Sequence, residues 1–151
     1  MAEVTVVFAD LTGSIGLFEA LGNAKATQAI TRLTDWLGKV CTARNGQVVK
    51  TLGDGVLMVF AKSTDAVEAV TDMQRAHTER IKNWPHNLKM HLQIGMAKGE
   101  VIQQAGDYFG DAVNVASRLS DLSGPDQILA TDVVINGLTP DTLVRFRSLG
   151  A

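Results

Sequence analysis

The chain has 151 residues, of which 46% are hydrophobic and 20% charged, and its formal net charge is -2. Such a composition is typical of one ordinary globular domain that buries enough surface to need no disulfide or structural metal. The low net charge excludes a broad electrostatic field that would gather nucleic acid or an anionic membrane surface.

The cysteine count and the length of the apolar runs indicate the cellular compartment. Cys41 is the only cysteine, which excludes an internal disulfide framework and fits a reducing compartment. No apolar run approaches the ~20 residues that cross a membrane, and the N-terminus leads into a strand pattern instead of a signal peptide. We therefore predict a single cytoplasmic domain over residues 1–151, without nucleic acid as a partner.

The first element is a strand that ends in a carboxylate. Val4, Val6 and Phe8 alternate with smaller or polar residues up to Asp10. The sequence Leu11-Thr12-Gly13-Ser14 follows, and we predict that Thr12 or Ser14 caps a short helix over residues 15–21. The free N–H groups of such a helix start favour an anion, so Thr12, Gly13 and Ser14 are candidate phosphate contacts.

The next two elements are a helix and a glycine-flanked hairpin. Apolar residues spaced by three and four predict an amphipathic helix over residues 23–44. The sequence QVVKTLGDGVLMVF then predicts strands over residues 47–51 and 56–60, with Lys50 and Asp54 near the turn. An Asp-Gly turn by itself is common. If this hairpin lies beside the first strand, Asp10 and Asp54 converge, and oxygen ligands of this kind suit Mg²⁺ or Mn²⁺.

The middle of the chain predicts a helix and then two paired strands. Ser63 or Thr64 is placed to cap a helix that Trp84-Pro85 ends, and we interpret His77 as a core or boundary residue. Residues 88–96 alternate as a strand with one wetter face, on which His91 is a surface residue. We predict a turn at Lys98-Gly99 that pairs a second strand, residues 100–104, with the first.

The last part contains a helix with a polar face. The sequence DYFGDAVNVASRLSDL predicts a helix from about residue 110, with residues 112, 115, 116, 119 and 122 on its apolar side and Asn114 and Arg118 on its polar side. A strand over residues 127–130, a short helical or turn piece over 132–138 and a final strand over 142–146 complete the chain. This order favours an α+β fold, with an antiparallel-rich sheet covered by helices.

Three of these sequences together resemble the catalytic domains of class III nucleotidyl cyclases: FADLTGS, VVKTLGDGVLMVF and GDYFGDAVNVASRL. The resemblance runs through nearly the whole chain in order, and it implies a ferredoxin-like or palm-type sheet. It also implies roles for individual residues. Asp10, Asp54 and the Leu11 carbonyl would hold two divalent cations. Lys50 and Asp107 would select adenine, Asn114 would position the ribose, and Arg118 would stabilise charge at the reacting phosphorus.

The resemblance further implies an adenylate cyclase, which converts ATP to 3′,5′-cyclic AMP and pyrophosphate with two Mg²⁺ or Mn²⁺ ions. The hydrogen-bonding polarity of Lys50 and Asp107 suits either adenine or guanine, and the preference for ATP rests on the resemblance. Family members pair head to tail, with metal-binding aspartates from one copy and base, ribose and arginine residues from the other. This chain carries both sets, so we expect a homodimer.

One departure from the family pattern concerns the C-terminus. The resemblance implies a further pair of strands carrying a basic residue that contacts the triphosphate, and Arg145 and Arg147 are the candidates to replace it. We expect a catalytic domain that lacks these strands and belongs to a longer protein with a regulatory domain.

Three alternatives remain at this point. A cyclase-homology module could bind nucleotide or dimerise without turnover, although all six expected side chains are present. A guanylate cyclase would use the same framework. Diguanylate cyclases and polymerases share paired acids, but the chain has no GGDEF-like sequence, and the absence of GxxxxGK[ST] excludes a P-loop enzyme.

Overall fold

The structure, a computed structural model, describes residues 2–138 and 147–149. It contains a six-stranded sheet, five α-helices and a short 3₁₀ turn, His86–Leu88, within those ranges. The strands are β1 (Ala2–Thr12), β2 (Gly46–Leu52), β3 (Gly55–Phe60), β4 (His91–Gln104), β5 (Asp107–Phe109) and β6 (Gln127–Ala130). The helices are α1 (Ser14–Leu21), α2 (Asn23–Ala43), α3 (Ser63–Ile81), α4 (Asp111–Leu122) and α5 (Asp132–Asn136).

The strand order is β2-β3-β1-β4-β5, and every neighbouring pair in it is antiparallel. β6 runs parallel to the first half of β4. The predicted hairpin therefore lies directly beside the first strand, with Asp10 opposite Gly55. This arrangement confirms the predicted α+β fold with an antiparallel-rich sheet.

Alternating residues of β1 divide the interior into two cores. Val7, Ala9 and Leu11 point to one face, where they pack with α1, α2 and α3. Val6 and Phe8 point to the other face, which α4 covers through Ala112 and Ala116. Both faces of β1 are thus buried, which explains why residues 5–9 are all buried.

The sheet curls until its two edge strands meet. Lys50 of β2 forms an ion pair with Asp107 of β5 at 2.8 Å, although three strands separate them in the sheet order. Tyr108 of β5 adds a hydroxyl contact of 3.4 Å to Gln47 of β2. The result is a nearly barrel-like sheet that wraps around α4.

The predicted turn at Lys98-Gly99 is wrong, because β4 runs without interruption from residue 91 to residue 104. The hairpin lies further along, where Gln104 pairs with Asp107. The predicted wetter face of β4 is also wrong around Gly95, which is buried beneath α4. The predicted start at residue 88 falls in the 3₁₀ turn.

Several details of the helices differ from the sequence predictions. Neither α1 nor α3 has a side-chain cap; the N-cap positions are Gly13 and Lys62. The buried stripe of α4 consists of Ala112, Ala116 and Ser120. Leu122, which we expected on the apolar side, is 74% exposed.

Two further points concern the whole chain. The predicted final strand, residues 142–146, lies outside the described residues. No helix in the described part of the chain is long and apolar enough to span a bilayer.

Candidate functional site

Asp10 and Asp54 come together where β1 and β3 meet. Asp10 lies opposite Gly55, the residue after Asp54, and the N–H of Leu11 donates to the Asp54 carbonyl at 2.9 Å. A Cβ added at Gly55 would overlap Oδ1 of Asp10. The glycine after Asp54 is therefore required to make room for the Asp10 carboxylate.

Each carboxylate is held by one serine. The Ser120 hydroxyl of α4 donates to Oδ2 of Asp10 at 2.6 Å, and the Ser14 hydroxyl of α1 donates to Oδ2 of Asp54 at 3.2 Å. An ionised carboxylate offers about four acceptor positions on its two oxygens. Both groups consequently keep free acceptor capacity while their orientation is fixed.

The site carries negative charge that the described residues do not neutralise. Burial raises the pKa of Asp10 above its usual value, the hydrogen bond from Ser120 opposes that shift, and the charges of Asp54 and Asp121 raise it further. Desolvation and like charge both disfavour the ionised carboxyl. A bound cation would reverse both effects.

The donor set fits a hard divalent cation. In the described part of the chain, no three His, Cys, Asp or Glu side chains form a metal-binding group. Side chains therefore supply the two carboxylates, and further ligands would come from backbone carbonyls, water or substrate. Oxygen donors with few protein ligands are typical of Mg²⁺ sites, where phosphate oxygens complete the coordination.

The start of α1 lies beside this carboxylate pair. Gly13 adopts φ +86°, a conformation that glycine adopts easily, and a Cβ there would lie 2.8 Å from the Lys89 carbonyl oxygen. Ser14 contacts Asp54, and the Thr12 hydroxyl donates to the His91 carbonyl at 3.4 Å. The two hydroxyls thus position the loop, and the free N–H groups of the first helical turn remain candidate phosphate contacts.

Lys50 and Asp107 form a second group on the open side of the curled sheet. Nζ of Lys50 donates to Oδ2 of Asp107 at 2.8 Å, and the Tyr108 N–H donates to Oδ1 at 2.8 Å. The Lys50 hydrogen bond, followed by that of Tyr108, holds the pKa of Asp107 below its usual value. A donor and an acceptor side by side can read the edge of a nucleobase.

Asn114 and Arg118 form a third group, which points away from the carboxylates. Both are exposed on α4, one turn apart. Arg118 and Ser120 are separated by two residues, which is about 200° around a helix of 3.6 residues per turn. Because Ser120 faces Asp10, Arg118 points to the opposite side of α4, and among the described residues it forms no ion pair with Asp10 or Asp54.

Ser120, which donates a hydrogen bond to the candidate metal ligand Asp10, was not identified from the sequence. Its side chain is fully buried, and it links α4 to Asp10 across 110 residues of sequence. The available signal was the spacing of four that it shares with Ala112 and Ala116. A small polar residue at a buried helical position needs a hydrogen-bond partner, and that partner is Asp10.

Of the two basic residues proposed to replace a C-terminal triphosphate contact, Arg147 is exposed. Arg145 lies outside the described residues. The prediction for both stays untested.

Comparisons with known proteins identify the class to which this fold and site belong. Residues 1–150 match the family described as the adenylate and guanylate cyclase catalytic domain. The chain belongs to that family, as the resemblance of its three motifs implies.

Individual relatives agree with this assignment. The chain is 30% identical over 127 residues to a putative adenylate cyclase 3 of Rhizobium meliloti, and 32% identical over 136 residues to a pH-sensitive adenylate cyclase of Mycobacterium tuberculosis. These alignments cover 84% and 90% of the chain but only 22% and 32% of the relatives. A crystal structure of an adenylate/guanylate cyclase/hydrolase from Silicibacter pomeroyi superimposes with a TM-score of 0.84 at 30% identity, covering 98% of this chain and 86% of that one.

Proposed function

We propose that this domain is an adenylate cyclase, which converts ATP to 3′,5′-cyclic AMP and pyrophosphate. The observation that carries the proposal is the convergence of Asp10 and Asp54 at the β1–β3 junction, in a site whose uncompensated negative charge suits divalent cations. The names of the two relatives above support adenylate over guanylate chemistry.

Asp10, Asp54 and the Leu11 carbonyl would hold two Mg²⁺ or Mn²⁺ ions. Bound there, the ions would lower the pKa of the ribose 3′-hydroxyl and neutralise charge on the phosphates. The chain's own contribution is orientation: Ser120 and Ser14 fix the carboxylates, and the N–H groups after Gly13 face the triphosphate, beside Thr12 and Ser14. Phosphoryl transfer depends mainly on such positioning and charge neutralisation.

Lys50 and Asp107 would bind the base. The Lys50 ammonium would donate to N1 of adenine, and the Asp107 carboxylate would accept from the N6 amino group. The same polarity fits O6 and N1–H of guanine, so the proposal for adenine rests on the resemblance and on the relatives. We expect at least a tenfold preference for ATP over GTP, about 1.4 kcal/mol.

Asn114 and Arg118 would act on a nucleotide held by the carboxylates of a second copy. The orientation of Asn114 and Arg118 supports this proposal, because Ser120 on the same helix points to Asp10 whereas Arg118 points to the opposite side of α4. Exposed apolar side chains near the Lys50–Asp107 pair support a partner surface: Leu52, Ile102 and Phe109 are 44%, 51% and 53% exposed. A head-to-tail homodimer would cover them and form two equivalent sites.

The curated relatives extend well beyond the segment that aligns with this chain. We propose that the domain works together with a regulatory domain in a longer protein.

The direct test is to incubate the purified protein with ATP and Mn²⁺ and to measure cyclic AMP and pyrophosphate. Equal amounts of the two products are expected, none in the presence of a chelator, and at most a tenth of the turnover with GTP. Equal turnover of ATP and GTP would contradict the base assignment. Nucleotide binding without product from either substrate would favour a nucleotide-sensing module instead.

A further inference from the structure

A cavity of about 370 Å³ lies between α2 and the end of α3, on the sheet face opposite to α4. Its volume falls in the range of about 300–1,000 Å³ that is typical of small-molecule sites. Its walls combine apolar carbon with two indoles and two guanidinium groups; the lining residues are Ala29, Arg32, Leu33, Trp36, Arg80 and Trp84.

Arg80 is held in place from two sides. Its guanidinium carbon lies 4.1 Å from the centre of the Trp36 ring, and Nη1 donates to Nδ1 of His77 at 3.4 Å. His77 is fully buried and donates from Nε2 to the Met90 carbonyl, which leaves Nδ1 as the acceptor. Its predicted role as a satisfied core histidine is therefore confirmed. The guanidinium is fixed before any ligand arrives, while several of its N–H donors remain available.

Neither arginine of the cavity has an acidic partner. Within the described ranges, no Asp or Glu lies at ion-pair distance from Arg32 or Arg80. Arg44 shows the contrast, since it pairs with both Glu68 and Asp72. Partial burial lowers the pKa of Arg80, because it removes water from around the guanidinium charge.

We propose that this cavity binds a small organic anion with a flat aromatic body. The guanidinium groups of Arg32 and Arg80 would bind the anionic group, because planar guanidinium forks match carboxylates, sulfonates and phosphates. Trp84 would pack on the aromatic body, while Trp36, whose ring Arg80 covers, would keep that guanidinium in place. The proposal is independent of the nucleotide site, which uses none of these residues.

The test uses 8-anilinonaphthalene-1-sulfonate, an aromatic anion whose fluorescence rises on binding, and N-phenyl-1-naphthylamine, its uncharged counterpart. The folded protein should bind the sulfonate. Arg32→Gln and Arg80→Gln should each weaken its binding about tenfold and leave the neutral probe unaffected. Arg75→Gln is the matched control, since Arg75 is exposed on α3 outside the cavity and should not matter.

Circular dichroism and the Tm of each variant establish that it is folded; if Arg80→Gln is not, the exposed Arg32→Gln carries the test alone. Equal sulfonate affinity in wild type, Arg32→Gln and Arg75→Gln would overturn the proposal. Displacement of the probe by ATP with no effect of Arg32→Gln would overturn it as well, because the probe would then occupy the nucleotide site.

Discussion

At the scale of single residues, the site is defined by the direction in which each side chain points. Asp10 and Asp54 lie close together at the β1–β3 junction, and Ser120 donates to Asp10 from α4. Arg118 points the other way from the same helix. The proposed roles of Arg118 and Ser120 depend on this arrangement, and each can be tested separately.

Replacing Arg118 with alanine should leave the fold intact and nearly abolish turnover. The side chain is exposed and has no ion pair among the described residues, so its loss costs little stability. An arginine that stabilises charge at a transferring phosphoryl group is worth about 10³–10⁵ in rate. The measurement is kcat for cyclic AMP formation together with Tm, with Arg75→Ala as control; a folded and active Arg118→Ala variant would refute the assignment.

Replacing Ser120 with alanine should weaken metal binding. The hydroxyl positions Asp10, and residues that orient a metal ligand typically contribute about 10–100-fold to metal affinity. We expect Mn²⁺ affinity, measured by titration without nucleotide, to fall about tenfold. Ser117→Ala on the same helix is the control, and unchanged affinity in Ser120→Ala would show that the hydrogen bond serves packing alone.

The residue scale also shows what the sequence could predict. Asp10, Asp54, Lys50 and Asp107 were identified from motifs, and the structure brings them together as two close groups. Ser120 was missed because its partner lies 110 residues away, and no local pattern reports such a contact. The prediction that Thr12 or Ser14 caps α1 was wrong for a similar reason, because the two hydroxyls donate to the distant residues His91 and Asp54 and not to the helix start.

At the scale of elements, the close contact between α4 and β4 determines where Ser120 and Arg118 lie relative to Asp10. A Cβ at Gly95 would overlap the Ala116 carbonyl and the Ser120 nitrogen, whereas one at Gly99 would lie 3.2 Å from the Ala112 methyl. These contacts explain the wrong turn prediction at Lys98-Gly99. Glycine occurs there because a helix packs close to the strand, and a single sequence does not distinguish that use from a turn.

Substituting Gly95 with alanine should push α4 away from the sheet. Overpacking of this kind costs about 1–3 kcal/mol, and the shift would separate Ser120 from Asp10 while moving Arg118. We expect a lower Tm and a loss of activity beyond that of Gly99→Ala, which meets only a methyl group. Equal effects of the two substitutions on Tm and kcat would contradict the close α4–β4 contact.

The contact between α3 and β4 should make stability depend on pH. Burial lowers the pKa of His77 below its usual 6.5, while its bond to Met90 opposes the shift. The unfolded chain therefore binds the His77 proton more readily than the folded chain. The contribution of His77 to the free energy of unfolding is fully present above pH 6.5 and falls as pH decreases, by at most about 1.4 kcal/mol per pH unit.

Urea unfolding between pH 7.5 and 5 measures this dependence. His77→Gln should flatten the curve, because its amide can still donate to the Met90 carbonyl and does not titrate. His86→Gln, at an exposed position, should retain the wild-type slope. A slope in His77→Gln as steep as that of the wild type would exclude His77 as the cause.

At the scale of the whole molecule, the candidate site residues fall into two separate sets. One set is the carboxylate pair, Asp10 and Asp54, and the other is Lys50, Asp107, Asn114 and Arg118. The β2–β3 hairpin and the α+β class were predictable, because alternation and turn chemistry are local signals. The sequence left open whether β1 lies beside that hairpin, and the structure shows that it does. The contact between the edge strands β2 and β5 was not predictable from the sequence, because the curvature of a sheet accumulates over all of its strands. Lys50, Asn114 and Arg118 are exposed and Asp107 is half-buried, as the proposed contact with a second copy requires.

The proposed active site therefore requires two chains. Each active site would take its carboxylates from one copy, and the base-binding residues Lys50 and Asp107 together with Asn114 and Arg118 from the other. Specific activity should therefore fall on dilution, because the copies then separate. Asp54→Ala and Arg118→Ala chains should each be inactive alone.

The most direct measurement is cyclic AMP formation by an equimolar mixture of Asp54→Ala and Arg118→Ala chains. Random pairing makes half of the dimers mixed, each with one intact site of two, so about a quarter of the wild-type activity should return. Mixing Asp10→Ala with Asp54→Ala should restore none, because these residues serve the same site from the same chain. A first mixture no more active than its separate components would contradict sites shared between two copies.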